Sequence, residues 1–322
     1  MRKVLFFNGQ SELVANIFCE KVPEGFDVSW KPHRLSDNEK IDLIMDVEFL
    51  VLHPAAISVD VLREAKSLQL IQLLAAGYDK IDLHVTTELG IPVATNGGAN
   101  SWGVAEHTIG LLLALYKRLV PCDRSVRDGK WRQAISGFDT FEVAGKTVGL
   151  VGAGNIGQKV AKRLKAFETR ILYYDARPAP DIETESDARK VSLDDLLRES
   201  DIISIHLPLL RETRMLIGQR ELSLMKPTSV LINTSRGEIV DEEALFTALK
   251  EKRIAGASLD VFHKEPISQD NPLLKLDNVV LSPHTAGHSY EGWFRRSRFA
   301  WENIQRVASG HAPLSLAQPE EG

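Results

Sequence analysis

What is scarce in this chain narrows its class before any motif is read. Cysteine occurs only twice, at Cys19 and Cys122, in helix-like patterns without Cys-x-x-Cys or Cys/His spacing. That excludes a disulfide-stapled scaffold and a metal constellation, and both thiols are expected to stay reduced in a cytoplasmic protein. No basic block occurs and the net charge is only −5, so neither nucleic acid nor anionic membrane is expected as a partner. The longest apolar run, Ile109 to Tyr116, is too short to span a bilayer. The start, MRKVLFFNGQ, loses its apolar character at Asn8-Gly9 without a small-residue cleavage site. It reads as a first strand, not a signal peptide. No internal repeat is visible. What remains is an ordinary globular composition over 322 residues, more than one core usually organises, so two domains are expected.

Two series of strand–helix alternation run along the chain, the pattern of parallel α/β sheets. In the first, KVLFF, EFLVLH, LQLIQLL and PVATN read as strands, with helices at SELVANIFCEKV and VDVLREAKS. In the second, the strands are KTVGLVG, RILYYD, DIISIHLP, SVLINTSRG, IAGASLDVF and NVVLSPH; NIGQKVAKRLKAF, SLDDLLRES and DEEALFTALKEKR are helices. Short runs rich in Val, Ile and Leu suit strands covered on both faces. A long helix, 101–120, separates the series, and an amphipathic helix follows residue 287 with no strand after it. That last helix is expected to return to the first domain. The division is then 1–100 with 288–322 for one domain and 101–287 for an inserted second. The polar end, from Ala312 onward, is expected to fray.

Gly152-Ala153-Gly154-Asn155-Ile156-Gly157 fits G-x-G-x-x-G. The pattern alone is weak, but here a strand precedes it and a helix follows. The first two glycines permit a tight turn and close approach to a pyrophosphate, and the third lets helix pack on strand. Amides at the positive helix end then meet the phosphates. Eighteen positions after Gly157 the next strand ends at Asp175. A carboxylate there accepts the adenosine ribose hydroxyls and repels a 2′-phosphate, which favours NAD over NADP. Arg177 offers a phosphate some charge, so the preference is not absolute.

Ligands of open α/β sheets sit beyond the carboxyl ends of the strands. Three strands of the second series end in Ser235-Arg236-Gly237, in His263-Lys264-Glu265-Pro266 and in His284. Arginine holds a carboxylate through paired bonds. Histidine exchanges a proton near neutral pH, and a carboxylate fixes its tautomer and favours its charged form. Taken singly each residue has a structural alternative: an ion pair for Arg236 with an acid such as Asp260, a solvated loop acid, a turn cap. Together, beside NAD, they suit hydride transfer at a hydroxyl-bearing carbon next to a carboxylate.

The segments LAAGYDKIDL (74–83), NGGANSWGVAEHT (96–108), VGLVGAGNIG (148–157), HLPL (206–209), LINTSRGEIVDEEAL (231–245), SLDVFHKEP (258–266) and SPHTAG (282–287) resemble the D-isomer-specific 2-hydroxyacid dehydrogenases over nearly the whole chain. The resemblance implies two doubly wound parallel-sheet domains: a Rossmann NAD-binding domain inserted into a flavodoxin-like substrate-binding domain, with two crossing helices as hinge and the active site in the cleft. It also implies a homodimer formed through the nucleotide-binding domains. The family's catalytic Arg, Glu and His fall on Arg236, Glu265 and His284. Arg236, helped by backbone amides at Ala76-Gly77, binds the substrate carboxylate and 2-oxo group, while His284 is the acid or base and Glu265 orients it. Cofactor contacts are expected at Gly152, Gly154, Asn155, Ile156, Gly157, Asp175, His206, Leu207, Pro208, Thr213, Thr234, Ser235, Arg236, Asp260, His284, Ala286 and Gly287. Three positions depart from the pattern: Asn155 where Arg is frequent, Lys80 where Asn is frequent, and Leu210 where Thr is common. No regulatory domain follows the final helix, so amino-acid feedback is not expected.

Two other functions compete. One is the same fold with another hydride donor, phosphite or formate; family formate dehydrogenases carry Gln where Glu265 stands, which argues against formate. The other is an NAD-sensing corepressor-like binding protein. The identity of the 2-oxo or 2-hydroxy acid is not legible. Its pocket is expected among His53, Pro54, Ala55, Ala76, Tyr78, Trp102 and Trp293, with Arg295 and Arg296 either serving a phosphate-bearing substrate or facing solvent.

Overall fold

The computed structural model describes residues 1–319. It divides into two compact units, Met1–Asn100 with His288–Gly322, and Ser101–Gly287. The first is built on a five-stranded sheet: β1 (Arg2–Asn8), β2 (Phe26–Pro32), β3 (Phe49–His53), β4 (Leu70–Leu73) and β5 (Val93–Ala94), in the order β2-β1-β3-β4-β5. Every pairing is parallel. β3 and β4 are buried along their whole length, as continuous apolar runs demand when helices cover both faces. One face packs Leu50, Leu52 and Ile71 under Val61 and Leu62; the other packs Phe6, Phe49 and Val51 against Phe18, Trp301 and Ile304. Trp301 lies on the final helix, Tyr290–Ala308. That helix does return to the first sheet, with Trp301 stacked 4.8 Å from Phe18.

The second unit holds seven strands: β6 (Thr147–Val151), β7 (Arg170–Tyr174), β8 (Arg189–Lys190), β9 (Ile202–Ile205), β10 (Val230–Asn233), β11 (Gly256–Leu259) and β12 (Val279–Leu281), ordered β12-β11-β10-β9-β6-β7-β8 and again all parallel. The helices Ser101–Tyr116 and Asn155–Lys165 contribute Ala105, Leu112, Val160 and Leu164 to one face, while Leu245 and Leu249 of Glu242–Lys250 cover the other. Asp241 caps the last of these by accepting from the Glu243 and Ala244 amides, worth about 1 kcal/mol.

The structure adds the short strand β8 and the helices Leu83–Glu88, Pro180–Ser186 and Gln219–Leu224 to the elements expected from the sequence, and four further features differ. β2 has no apolar run: its burial alternates, and as an edge strand it pairs only with β1. The helix Asp37–Ile44 is announced by its capping box, Ser36 with Glu39, rather than by periodicity. The helix expected over 101–120 ends at Tyr116, because Arg118 adopts φ +50 and starts a second helix, Leu119–Arg127. The polar end is held through its described part: Ala317 N–H donates to Val93 O at 2.8 Å and Leu314 N–H to Asn303 Oδ1 at 2.7 Å.

Candidate active site

The loops after β10, β11 and β12 carry Arg236, Glu265 and His284. After β10, Asn233 Nδ2 donates to Arg236 O at 2.8 Å and Ser235 Oγ to Ile205 O at 2.6 Å. Gly237 is obligatory there, since a Cβ would collide with the backbone of Phe262. The β10 and β11 loops therefore touch backbone to backbone. Glu265 accepts the Phe262 amide at one oxygen, 3.1 Å, and at the other His284 Nδ1–H, 2.6 Å. A carboxylate only accepts, so Nδ1 carries the proton and Nε2 remains for chemistry. Burial pushes the Glu265 carboxyl up, yet the bond and charge of His284, the Phe262 amide and the charge of Arg236 outweigh it, and the net displacement is downward. Glu265 is thus held as an anion against the His284 ring.

His284 has φ +54, a left-handed conformation costing a non-glycine residue about 1 kcal/mol. Asp260, fully buried, imposes it. Its carbonyl accepts His284 N–H at 2.7 Å, Oδ1 accepts Thr285 N–H at 3.0 Å and Oδ2 accepts Ala286 N–H at 2.8 Å. Ser282 Oγ adds a 2.6 Å bond to Oδ1. The resemblance implies a cofactor contact at Asp260; the structure gives its carboxylate this turn to hold. Ser282 and its neighbour His107, 3.0 Å away, carry no motif signal for the site beyond standing inside SPHTAG and GVAEHT.

The glycine loop lies where the strand order reverses, between β6 and β9, the place for a ligand in a doubly wound sheet. Gly152 has φ +105, and a Cβ on it would lie 2.8 Å from the backbone of His206. A Cβ at Gly157 would collide with Gly152 O, whereas one at Gly154 would meet nothing within 4 Å. Tight turn, helix packing and an open approach thus fall to separate glycines. Asn155 and Ile156 begin the helix. Asp175, half-buried, accepts Ala153 N–H at 2.8 Å and Arg177 N–H at 3.0 Å. His206 is held by Ser204 at 2.9 Å, and burial pulls its imidazole down to about 3, so it is neutral. Its Nδ1 is buried without a hydrogen-bond partner. The loop after His206 is closed by Thr213, which accepts Leu210 N–H at 2.8 Å and donates to Pro208 O at 2.7 Å; Leu207 packs on the core. Thr234 is tied to Thr108 at 3.1 Å, and Gly287 ends the unit. An open glycine, a neutral imidazole with Nδ1 unpartnered and a strand-end carboxylate together fit a dinucleotide.

In the first unit Ala76 and Gly77 follow β4, Ala76 exposed and Gly77 half-buried. His53 ends β3 and packs edge-on against Trp293, 5.0 Å between rings, with His288 6.0 Å away. Pro54 is exposed, and Ala55 and Tyr78 pack on the core. Trp102 belongs to the other unit, where Lys159 Nζ lies 4.3 Å above its ring. Arg295 Nε donates to Ala99 O at 3.1 Å. The solvent-facing expectation fails for Arg296: it is 3% exposed, its guanidinium 4.3 Å from the Trp293 ring. Among the described residues no helix is long and apolar enough to cross a membrane, and no His, Cys, Asp and Glu group is arranged to hold a metal ion.

Comparison with known proteins shows the family to which the chain belongs. The family model "D-isomer specific 2-hydroxyacid dehydrogenase, NAD binding domain" matches residues 109–286. A glyoxylate reductase of Korarchaeum cryptofilum is 42% identical over 308 residues, 93% of this chain and 92% of that protein. A glyoxylate reductase structure from Paecilomyes thermophila superposes with a TM-score of 0.85 at 26% identity over 99% of both chains. An acyclic imino acid reductase (Bsp5), in complex with NADPH and D-Arg, superposes at 0.84 with 29% identity over 98% of this chain and 100% of its own. A Rossmann-like glycine loop, a strand-end carboxylate and this level of identity lead to one assignment: the chain belongs to the D-isomer specific 2-hydroxyacid dehydrogenases, NAD-dependent oxidoreductases acting on CH–OH groups.

Proposed function

We propose that this enzyme interconverts a small 2-oxo acid of the glyoxylate class and the corresponding 2-hydroxy acid, with His284 as acid and base. The observation that carries the reading is the 2.6 Å bond from His284 Nδ1–H to Glu265, which leaves Nε2 as the proton-transfer atom. The Gly152–Gly157 loop, Asp175 and the loop after β9 would hold the dinucleotide, which supplies the hydride when bound. Thr234, Ser235, Asp260, Ala286 and Gly287 complete its surroundings. Arg236 grips the substrate carboxylate through paired bonds and draws charge from the 2-oxo group. The amides at Ala76-Gly77 share that carboxylate. In reduction protonated His284 donates its Nε2 proton to the carbonyl oxygen as the carbon gains hydride, leaving neutral imidazole. In oxidation neutral Nε2 takes the hydroxyl proton. Glu265 stays ionised throughout and supports the imidazolium. Asp175 favours NADH over NADPH by meeting ribose hydroxyls and repelling a 2′-phosphate.

The test follows NADH absorbance with a panel of 2-oxo acids, each repeated with NADPH. Rapid oxidation with glyoxylate or a close relative supports the reading. Tight NADH binding with no turnover on any 2-oxo acid would sink it and favour another donor or an NAD-sensing role.

A homodimer belongs to the same reading. Residues 119–141 leave Leu119, Val120, Val126, Trp131, Phe138 and Phe141 exposed, Phe138 at 93% and Trp131 at 71%. A lone subunit rarely presents that much apolar surface in one segment, and a second copy of this unit would cover it. Light scattering on purified protein reads the state directly; a monomer at micromolar concentration rejects the dimer. Cys19 and Cys122 are both free thiols, which suits a reducing cytoplasm.

A further inference from the structure

The helix Ser101–Tyr116 contributes no reacting group to the proposed chemistry, yet two adjacent side chains tie it to two of the catalytic turns. His107 Nε2 lies 3.0 Å from Ser282 Oγ and 3.6 Å from Asp260 Oδ1. Thr108 Oγ1 lies 3.1 Å from Thr234 Oγ1, two residues before Arg236. A third bond, Ser258 Oγ to Leu111 O at 3.2 Å, fixes β11 to the same helix.

The proton order at His107 follows from the acceptors. Ser282 has one hydroxyl proton, and Asp260 Oδ1, 2.6 Å away, can only accept it. The remaining partner of Ser282 must therefore donate, so His107 carries a proton on Nε2. His107–Ser282–Asp260 is then a directed chain, each member donating to the next. It ends on the carboxylate that gathers the Thr285 and Ala286 amides and on the residue whose carbonyl holds His284 N–H. Those bonds keep His284 at its left-handed φ. A buried carboxylate free to rotate would loosen the Thr285 and Ala286 bonds together and leave the His284 N–H bond to the Asp260 carbonyl as the turn's remaining tie.

We propose that His107 is a positioning residue: through Ser282 it locks the rotamer of Asp260, and so holds His284 in the conformation where Nδ1 reaches Glu265. Thr108 anchors the Arg236 turn from the same helical turn. The role rests on His284 being the acid–base group, as proposed above.

The test compares the purified full chain with His107→Ala, His107→Gln and Ser282→Ala. The glutamine amide nitrogen stands near the place of Nε2 and can donate to Ser282. Expected for His107→Ala is a kcat lowered about tenfold, the size of one lost buried hydrogen bond expressed at the transition state. KM for NADH should change less than kcat does in that variant, because the glycine loop is untouched even though Asp260 and Ala286 border the dinucleotide. His107→Gln should recover most of the loss. Ser282→Ala should reproduce it, with the double variant no worse than either single change. Unchanged kcat in His107→Ala overturns the proposal, as does a loss that tracks Tm or that falls on NADH KM rather than on kcat, or a glutamine variant no better than alanine. Amide exchange separates this from failure of the functional reading. If the wild type reduces no 2-oxo acid, faster exchange at Thr285 and Ala286 in His107→Ala, with β6 unchanged, upholds the positioning role, and unchanged exchange there rejects it.

Discussion

In the five-stranded unit the strand order reverses between β1 and β3; in the seven-stranded unit it reverses between β6 and β9. Topology alone offers a ligand crevice at both places. The residues after β1 close theirs. Asn8 Oδ1 accepts Gln10 N–H at 2.9 Å, Asn8 Nδ2 donates to Ser11 O at 3.0 Å, and Gly9 N–H donates to His53 O at 2.5 Å. A Cβ on Gly9 would lie 2.6 Å from Pro54 Cδ. After β6 the chain keeps its crevice open, with nothing within 4 Å of a Cβ at Gly154. The same fold element is thus packed shut in one unit and left open in the other: a switch point is an opportunity, and the side chains around it decide whether it stays open.

The expected outcomes for five variants bear on that contrast. The largest is at His284. His284→Ala should lower kcat about a thousandfold, as loss of a general acid does, while NADH affinity in a fluorescence titration falls far less, because the cradle after β6 is untouched. Full activity in that variant would remove the acid–base assignment.

Next is Glu265→Gln, with kcat lowered about tenfold to a hundredfold through loss of the charge that supports the imidazolium. Its effect on stability has a sign. The folded Glu265 carboxyl sits below its ordinary value of 4.5, so its contribution is present above that value and lost as pH falls through the folded one. The Tm difference between wild type and variant should shrink as pH falls below the ordinary value of 4.5. A gap that widens in acid contradicts the assignment of Glu265 as a stabilised anion.

Asp175→Ser should shift the ratio of kcat/KM for NADH over NADPH by about tenfold toward NADPH, by removing the repulsion of a 2′-phosphate. An unchanged ratio places cofactor choice elsewhere. The smallest effects sharpen the comparison itself. Gly154→Ala should weaken NADH binding about fivefold with Tm unmoved, and Gly9→Ala should cost about 1 kcal/mol of stability with NADH binding unmoved. If Gly154→Ala also destabilises the fold, or Gly9→Ala weakens NADH binding, the open-versus-closed distinction between the two crevices fails.

Local pattern made much of this legible. The loop from Gly152 to Gly157 shows itself because turn, phosphate approach and helix packing demand glycines at fixed spacing. Asp175 shows itself as the acid ending the next strand, and Arg236, Glu265 and His284 as charged groups at strand ends. β2 was not legible because an edge strand buries alternate residues and needs no apolar run. The Asp37–Ile44 helix has a weak apolar face, and only its capping box betrays it. Arg296 reads as a surface arginine until Trp293 is seen stacked on it.

The amino-acid order by itself determined the α/β alternation, the glycine cradle and the types of group offered at the strand ends, because each depends on neighbours within a turn or a strand. Only the tertiary structure decided which groups work together. Glu265 meets His284 because β11 and β12 pair in parallel, in register Leu259 to Leu281. His107 reaches Ser282 across 175 positions of chain, a meeting no spacing encodes. The physical reason is the geometry of a hydrogen bond: donor and acceptor must come within about 3 Å, and for residues far apart in sequence only the packed sheet and helix bring them there.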